Sequence, residues 1–174
     1  LRGARIVSMP RITEEILQRA IVVDYPLMKQ RTNKLADILD QGSSVHITTQ
    51  KGTDLVLSIA GRKAHGRKSG IFDQPGYWGN LPEGEAFIAP LEEHADGIVY
   101  IDGSIAGVGP VDNVKLVVRK GKLVDVSHPI FEKMLNTAGE KARVIAELGI
   151  GTNDQAQLSG IVLEDEKVFG TAHI

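Results

Sequence analysis

The feature that most restricts the fold is a change of hydrophobic period at Gly42. Ahead of it, Thr13 is placed to cap a short helix with Glu14 and Glu15 in its first turn and Ile16, Leu17, Ala20 and Ile21 as its apolar face. Asp24 is placed to cap a longer helix that begins at Tyr25-Pro26, turns Leu27, Met28, Leu35, Ile38 and Leu39 inward, and stops before Gly42. Behind Gly42 the apolar residues alternate in short runs separated by glycine turns, over 45–49, 55–60, 86–89, 98–102, 104–108, 114–119 and 123–126. A period of two calls for sheet with one buried face, and tight turns predicted at Asp102-Gly103 and Lys120-Gly121 make neighbouring strands antiparallel. A further helix is predicted from Pro129 to Lys141, with Ile130, Phe131, Met134 and Leu135 apolar, then a strand from Val144 to Leu148 that carries Glu147 into a glycine-rich bend. The fold class is α+β: a short helical lead-in of roughly forty residues, then a largely antiparallel sheet domain with one or two packed helices.

Composition narrows the function classes. A chain of 174 residues that is 42% hydrophobic buries a sizeable core. Its net charge of −2 makes no electrostatic case for nucleic acid or for an anionic membrane surface. No apolar run is long enough to span a bilayer as a helix, so no membrane partner is expected. The absence of cysteine excludes disulfides, thiolate catalysis and Cys-based zinc sites, and leaves the cytoplasm as the default address. Leu1-Arg2 reads as the entry to a strand already under way, and Ile174 stops within an apolar run, which is the pattern of a fragment cut at both ends.

The chemistry concentrates in three stretches. Gly79-Asn80-Leu81-Pro82-Glu83-Gly84-Glu85-Ala86-Phe87-Ile88-Ala89-Pro90 reads as a loop that delivers two carboxylates, Glu83 and Glu85, to the start of a strand, both pointing the same way. Glu147 follows in Ala146-Glu147-Leu148-Gly149-Ile150-Gly151-Thr152-Asn153, and His173 in Gly170-Thr171-Ala172-His173-Ile174. Each sits in an apolar or glycine-rich setting, where an unpaired charge is expensive. The helix-borne zinc pair, the nucleophile elbow and the dinucleotide fingerprint are all missing. What remains is oxygen-rich: Glu83 or Glu85, Glu147, Asp165, Glu166 and His173, a donor set suited to divalent zinc, cobalt or manganese. Plainer readings stand beside these. Glu164, Asp165 and Glu166 read better as a solvated turn than as ligands, and His173 read alone is a core histidine satisfied by a backbone carbonyl. His46, His65, His94 and His128 read as structural or surface residues, and Tyr77 and Trp78 either line a pocket or pack in the core. The basic connection Gly61-Arg62-Lys63-Ala64-His65-Gly66-Arg67-Lys68-Ser69-Gly70 reads as a solvated loop in preference to an anion site, and it is no P-loop.

Taken in order, the three stretches resemble the thermophilic aminopeptidase family, the aminopeptidase T or leucyl aminopeptidase-like dinuclear metallopeptidases. The likeness covers essentially the whole chain. It implies that Glu85, Glu147 and His173 are metal ligands, with Glu85 and Glu147 catalytic and Glu83 a neighbour. It also implies two divalent ions, a peptide substrate cut at its N-terminal residue by metal-activated water, and a homodimer. It further implies a Tyr and a His-x-Asp pair downstream of His173, and an upstream α/β domain of which residues 1–42 are the tail with linking helices. Residues 43–174 are then a metal-site domain incomplete at its C-terminus. The alternative is a mononuclear iron oxygenase on the same scaffold, similar to the dihydroxypyridine ring-cleaving dioxygenases, which needs His173 but not both glutamates. A non-catalytic relative is a third reading. The presence of both Glu85 and Glu147 favours the peptidase.

Overall fold

A computed structural model describes residues 3–65 and 69–174. The expected strand entry at Leu1-Arg2 and the middle of the basic connection, Gly66-Arg67-Lys68, lie outside the described residues. Strand β1 (Ile6–Ser8) leads into helices α1 (Glu14–Ala20) and α2 (Tyr25–Gln41), then strands β2 (Ser44–Thr48) and β3 (Asp54–Ser58). After the long connection come β4 (Trp78–Asn80), β5 (Glu85–Ile88), β6 (Ala95–Ile101), the short pair β7 (Ser104–Ile105) and β8 (Gly109–Pro110), and the hairpin β9 (Val114–Arg119) and β10 (Lys122–Val126). Helix α3 (Pro129–Ala138), a 3-10 turn over Glu140–Arg143, β11 (Leu148–Gly151), the single-turn helix α4 (Val162–Asp165) and β12 (Ala172–His173) complete the fold. The class is α+β with mostly antiparallel strands, as the sequence pattern predicts; β1 and β4 form a parallel pair. No helix among the described residues is long and apolar enough to cross a membrane.

A five-stranded antiparallel sheet in the order β10-β9-β6-β3-β2 forms one wall of the core. Its inward residues, Leu55, Leu57, Val99, Leu116 and Val118, alternate with exposed or half-exposed neighbours, as a half-buried pleat requires. Against them pack Ala36 and Leu39 of α2, Leu135 of α3, and Ala86, Ile88 and Leu148 of a second sheet ordered β12-β11-β5. The β9–β10 hairpin turns at Lys120-Gly121, both at positive φ, as the sequence predicts.

Several details depart from the sequence pattern: the helix predicted to reach Lys141 ends at Ala138, and of the strand predicted over 104–108 only Ser104–Ile105 forms. Asp102-Gly103 is not a hairpin turn: β6 pairs with β3 and β9, while β7 pairs with β8. Helix α2 does not bury Leu27 or Ile38, both exposed; its inward stripe is Met28, Thr32, Ala36 and Leu39. The hydroxyl of Thr32 faces that of Thr152 at 2.7 Å and bonds the Met28 carbonyl, so a polar pair is part of the inward stripe. Finally, the strand predicted over 144–148 begins only at Leu148, and the glycine-rich segment predicted as a bend is itself β11.

Candidate functional site

The three-stranded sheet explains why glycines sit inside a strand, where they are normally unfavourable. Across β11, Gly149 is paired with Phe87 on one side and His173 on the other, and Gly151 with Glu85. Residues directly opposite one another share a face, and alternate residues of a strand return to it. Glu85, Phe87, Gly149, Gly151 and His173 therefore occupy one face, while Ala86, Ile88 and Leu148 take the other and enter the core. A Cβ on Gly149 would stand 2.0 Å from His173 Nε2 and 2.3 Å from its Cε1. The imidazole lies on the bare backbone of Gly149, and no other residue type leaves room for it there.

Gly151 does the same for a main chain. Its Cβ would stand 2.0 Å from the Val168 carbonyl oxygen and 2.8 Å from the Lys167 carbonyl carbon. The segment 167–171 is thus laid across the end of β11, fastened by Asn153 N to Lys167 O at 2.9 Å, Phe169 N to Asn153 O at 2.9 Å, and Gly170 N to Gly151 O at 3.1 Å. That path carries Lys167 to Glu85. The Lys167 ammonium, 1% exposed, sits 2.6 Å from Glu85 Oε1 and 3.1 Å from Glu166 Oε2. Desolvation alone would lower the lysine pKa; the two carboxylates outweigh it and hold it above its ordinary value.

His173 Nε2 lies 3.7 Å from Glu85 Oε2 and 3.4 Å from Glu147 Oε1. Neither approach is a hydrogen bond, and both ring nitrogens are buried with no hydrogen-bond partner. The core histidine satisfied by a backbone carbonyl is not what this fold contains. The sequence-derived trio Glu85, Glu147 and His173 does come together, as a histidine with a carboxylate on either side. Among the described residues, no set of three such side chains is arranged to hold a metal ion as it stands. Glu147 and His173 line a pocket of about 680 Å³ whose wall includes Ile47, Leu55, Val99 and Val144 and the polar Thr49, Tyr100 and Ser104.

The remaining candidates lie elsewhere. Glu83, buried, does not share the direction of Glu85; it folds back to accept from Asn80 N at 2.8 Å. Glu164 and Asp165 are not a solvated turn: they are buried and clasp the chain around them. Glu164 Oε1 accepts from Arg19 at 2.5 Å and from Gln157 N at 3.0 Å; Asp165 accepts from Ser159 N at 2.7 Å and from Ser104 Oγ at 2.5 Å. Trp78 is 69% exposed and Tyr77 stacks edge-on against Phe72; neither lines the pocket. His128 accepts from Phe131 N to cap α3, and His46 pairs with Asp54 on the surface. Sequence reasoning missed Lys167 as part of the site, and its position two residues after Asp165 in an acidic turn disguised it as a solvated charge.

Fold and site together define an α+β domain that gathers a histidine and two carboxylates on a glycine-floored sheet face. The chain belongs to the NicX family, described as 2,5-dihydroxypyridine 5,6-dioxygenase, whose model matches residues 2–173. It is 27% identical over 163 residues to a 2,5-dihydroxypyridine 5,6-dioxygenase of Pseudomonas putida, an alignment covering 87% of this chain and 45% of that protein. The solved structure of the dioxygenase from Pseudomonas putida superposes with a TM-score of 0.79 at 21% identity, covering 96% of this chain and 52% of the other. Wild-type AmpT from Thermus thermophilus superposes with a TM-score of 0.60 at 22% identity over 76% of this chain and 35% of its own. The chain thus spans about half the length of the dioxygenases it matches.

Family membership overturns the aminopeptidase assignment, and the hydrolase chemistry, the peptide substrate and the pair of zinc, cobalt or manganese ions fall with it. The structure supplies the physical reason for the error. Gly84, Gly149, Gly151 and Asn153 are required by packing: a Cβ on Gly84 would meet Met28 Sδ at 2.7 Å, and the Asn153 amide ties the Ala20 and Glu83 carbonyls. Motifs made of such residues mark a scaffold, which AmpT shares, and say nothing of how many metals it carries. The presence of Glu85 beside Glu147 does not by itself call for a second ion, because Lys167 offsets part of the charge the two carboxylates bring together.

Proposed function

We propose that this protein supplies part of the active site of a dioxygenase that opens a dihydroxypyridine-type aromatic ring, with His173 as a ligand to a single divalent metal, iron(II). The observation that carries the reading is the His173 imidazole, seated on Gly149 with both ring nitrogens buried and without a hydrogen-bond partner. A buried polar atom of this kind is destabilising unless something binds it, and imidazole flanked by carboxylates suits iron(II) among the metals of open oxygenase sites. Glu85 and Glu147 complete the donor set this chain offers.

When bound, iron(II) supplies the electron relay between an aromatic substrate and dioxygen that ring opening requires. Gly149 fixes the imidazole plane, and Lys167 offsets one carboxylate charge at a site that would otherwise gather two. The apolar wall formed by Ile47, Leu55, Val99 and Val144 shelters a planar ring from water. Glu147, half-exposed at the same pocket, stands where a ring hydroxyl can pass its proton to a carboxylate.

The test is oxygen uptake by the whole protein loaded with iron(II) under nitrogen and then given 2,5-dihydroxypyridine and dioxygen. One dioxygen consumed per ring opened, with none consumed by the zinc-loaded protein, is the expected result. Iron bound without any uptake on dihydroxypyridines or related aromatic diols would remove the ring-opening reading.

A further inference from the structure

Lys167 is the largest side chain among the described residues that is almost wholly buried. A long, strongly hydrated cation is rarely placed so without a task. Its main chain is fixed at both ends of the peptide, Lys167 N to Glu164 O at 2.9 Å and Asn153 N to Lys167 O at 2.9 Å, and it crosses the sheet directly above Gly151, the residue opposite Glu85. The ammonium and the imidazole approach different oxygens of Glu85: Oε1 is 2.6 Å from Lys167 Nζ, and Oε2 is 3.7 Å from His173 Nε2.

We propose that Lys167 is the positioning residue of this site: it holds Glu85 by Oε1, so that Oε2 alone is turned toward His173 and the metal bound there. The inference rests on the metal reading given above. Lys167 acts through Glu85 and touches neither substrate nor metal. Glu166 Oε2, 3.1 Å from the same ammonium, gives it a second anchor.

The experiment is a double-mutant cycle read by cobalt(II), whose visible absorption reports both affinity and coordination, on the whole protein and its Lys167→Met, Glu85→Gln and paired variants. Lys167→Met should weaken cobalt binding by about tenfold or more with all three donors intact, the size typical of lost outer-shell support. Because the lysine works only through Glu85, Glu85→Gln and the paired variant should bind cobalt equally. That second comparison stands even if Lys167→Met does not fold, since the paired variant leaves no unpaired Glu85 carboxylate. Unchanged affinity in Lys167→Met would mean the lysine serves stability alone. Tighter binding would mean that it merely competes with the metal for Glu85, and a further loss in the paired variant would mean that it acts independently of Glu85; any of these overturns the proposal. Wild-type protein that takes up neither cobalt nor iron overturns the metal reading itself, and with it this role.

Discussion

The two main sheets of this domain are built on opposite rules. In the five-stranded sheet the buried side chains are all aliphatic and the strands alternate; apart from Gly97, where a Cβ would stand 2.1 Å from the Asp54 carbonyl oxygen, what each inward residue supplies is buried area that another of similar volume can replace. In the three-stranded sheet one face follows that rule, with Ala86, Ile88 and Leu148, and the other breaks it with two glycines, a histidine, a carboxylate and a buried lysine reaching over the edge. The first sheet is a platform. The second spends conformational freedom and burial on holding polar groups in one arrangement, and that difference is what singles out its polar face as the candidate site.

The contrast predicts that stability and metal binding separate by sheet. The largest stability effect belongs to the platform: Leu57→Ala, at a fully buried position of β3, should cost about 2–5 kcal/mol in denaturant unfolding. The folded fraction should keep wild-type cobalt affinity, and a loss of affinity in fully folded Leu57→Ala would break the division. Gly149→Ala should cost less stability, about 1–3 kcal/mol as an overpacking change. It should nevertheless weaken cobalt binding by at least tenfold, because the new methyl group displaces the His173 ring. Wild-type affinity there would show that the imidazole has another place to go. The smallest effect is expected from Arg31→Ala, which removes a half-exposed pair with Asp154 and a contact 4.8 Å from the Phe169 ring. Roughly 1 kcal/mol or less, with the site unaltered, would place this clip between α2 and the 167–171 segment among the supports of the fold.

The platform was legible in the sequence because its physics is periodic. Alternation over 55–60 and 114–119, the Lys120-Gly121 turn and the caps Thr13 and Asp24 were all read in place. The site was legible only as a list of residues. Glu85, Glu147 and His173 were named, but the geometry joining them depends on register across β11, and a glycine-rich segment carries no side-chain period from which to read a strand. The buried acids Glu164 and Asp165 were misread, and the cation Lys167 passed over, for a related reason: an acidic run looks solvated until its partners, Arg19, Ser104 and Glu85, arrive from elsewhere in the chain. The chemistry was misassigned because packing residues dominated the motifs, and packing residues are what two enzymes on one scaffold have in common.

The most direct test of the account is iron(II) and cobalt(II) titration of His173→Ala beside the wild type, with melting followed on the same samples. The substitution removes a ring that makes no hydrogen bond and leaves the Gly149 backbone untouched. The account predicts that metal binding is lost or weakened by at least a hundredfold while the melting temperature of the metal-free protein stays the same or rises, since buried ring nitrogens without a hydrogen bond cost the fold more than they return. Metal held at wild-type affinity by folded His173→Ala would contradict it.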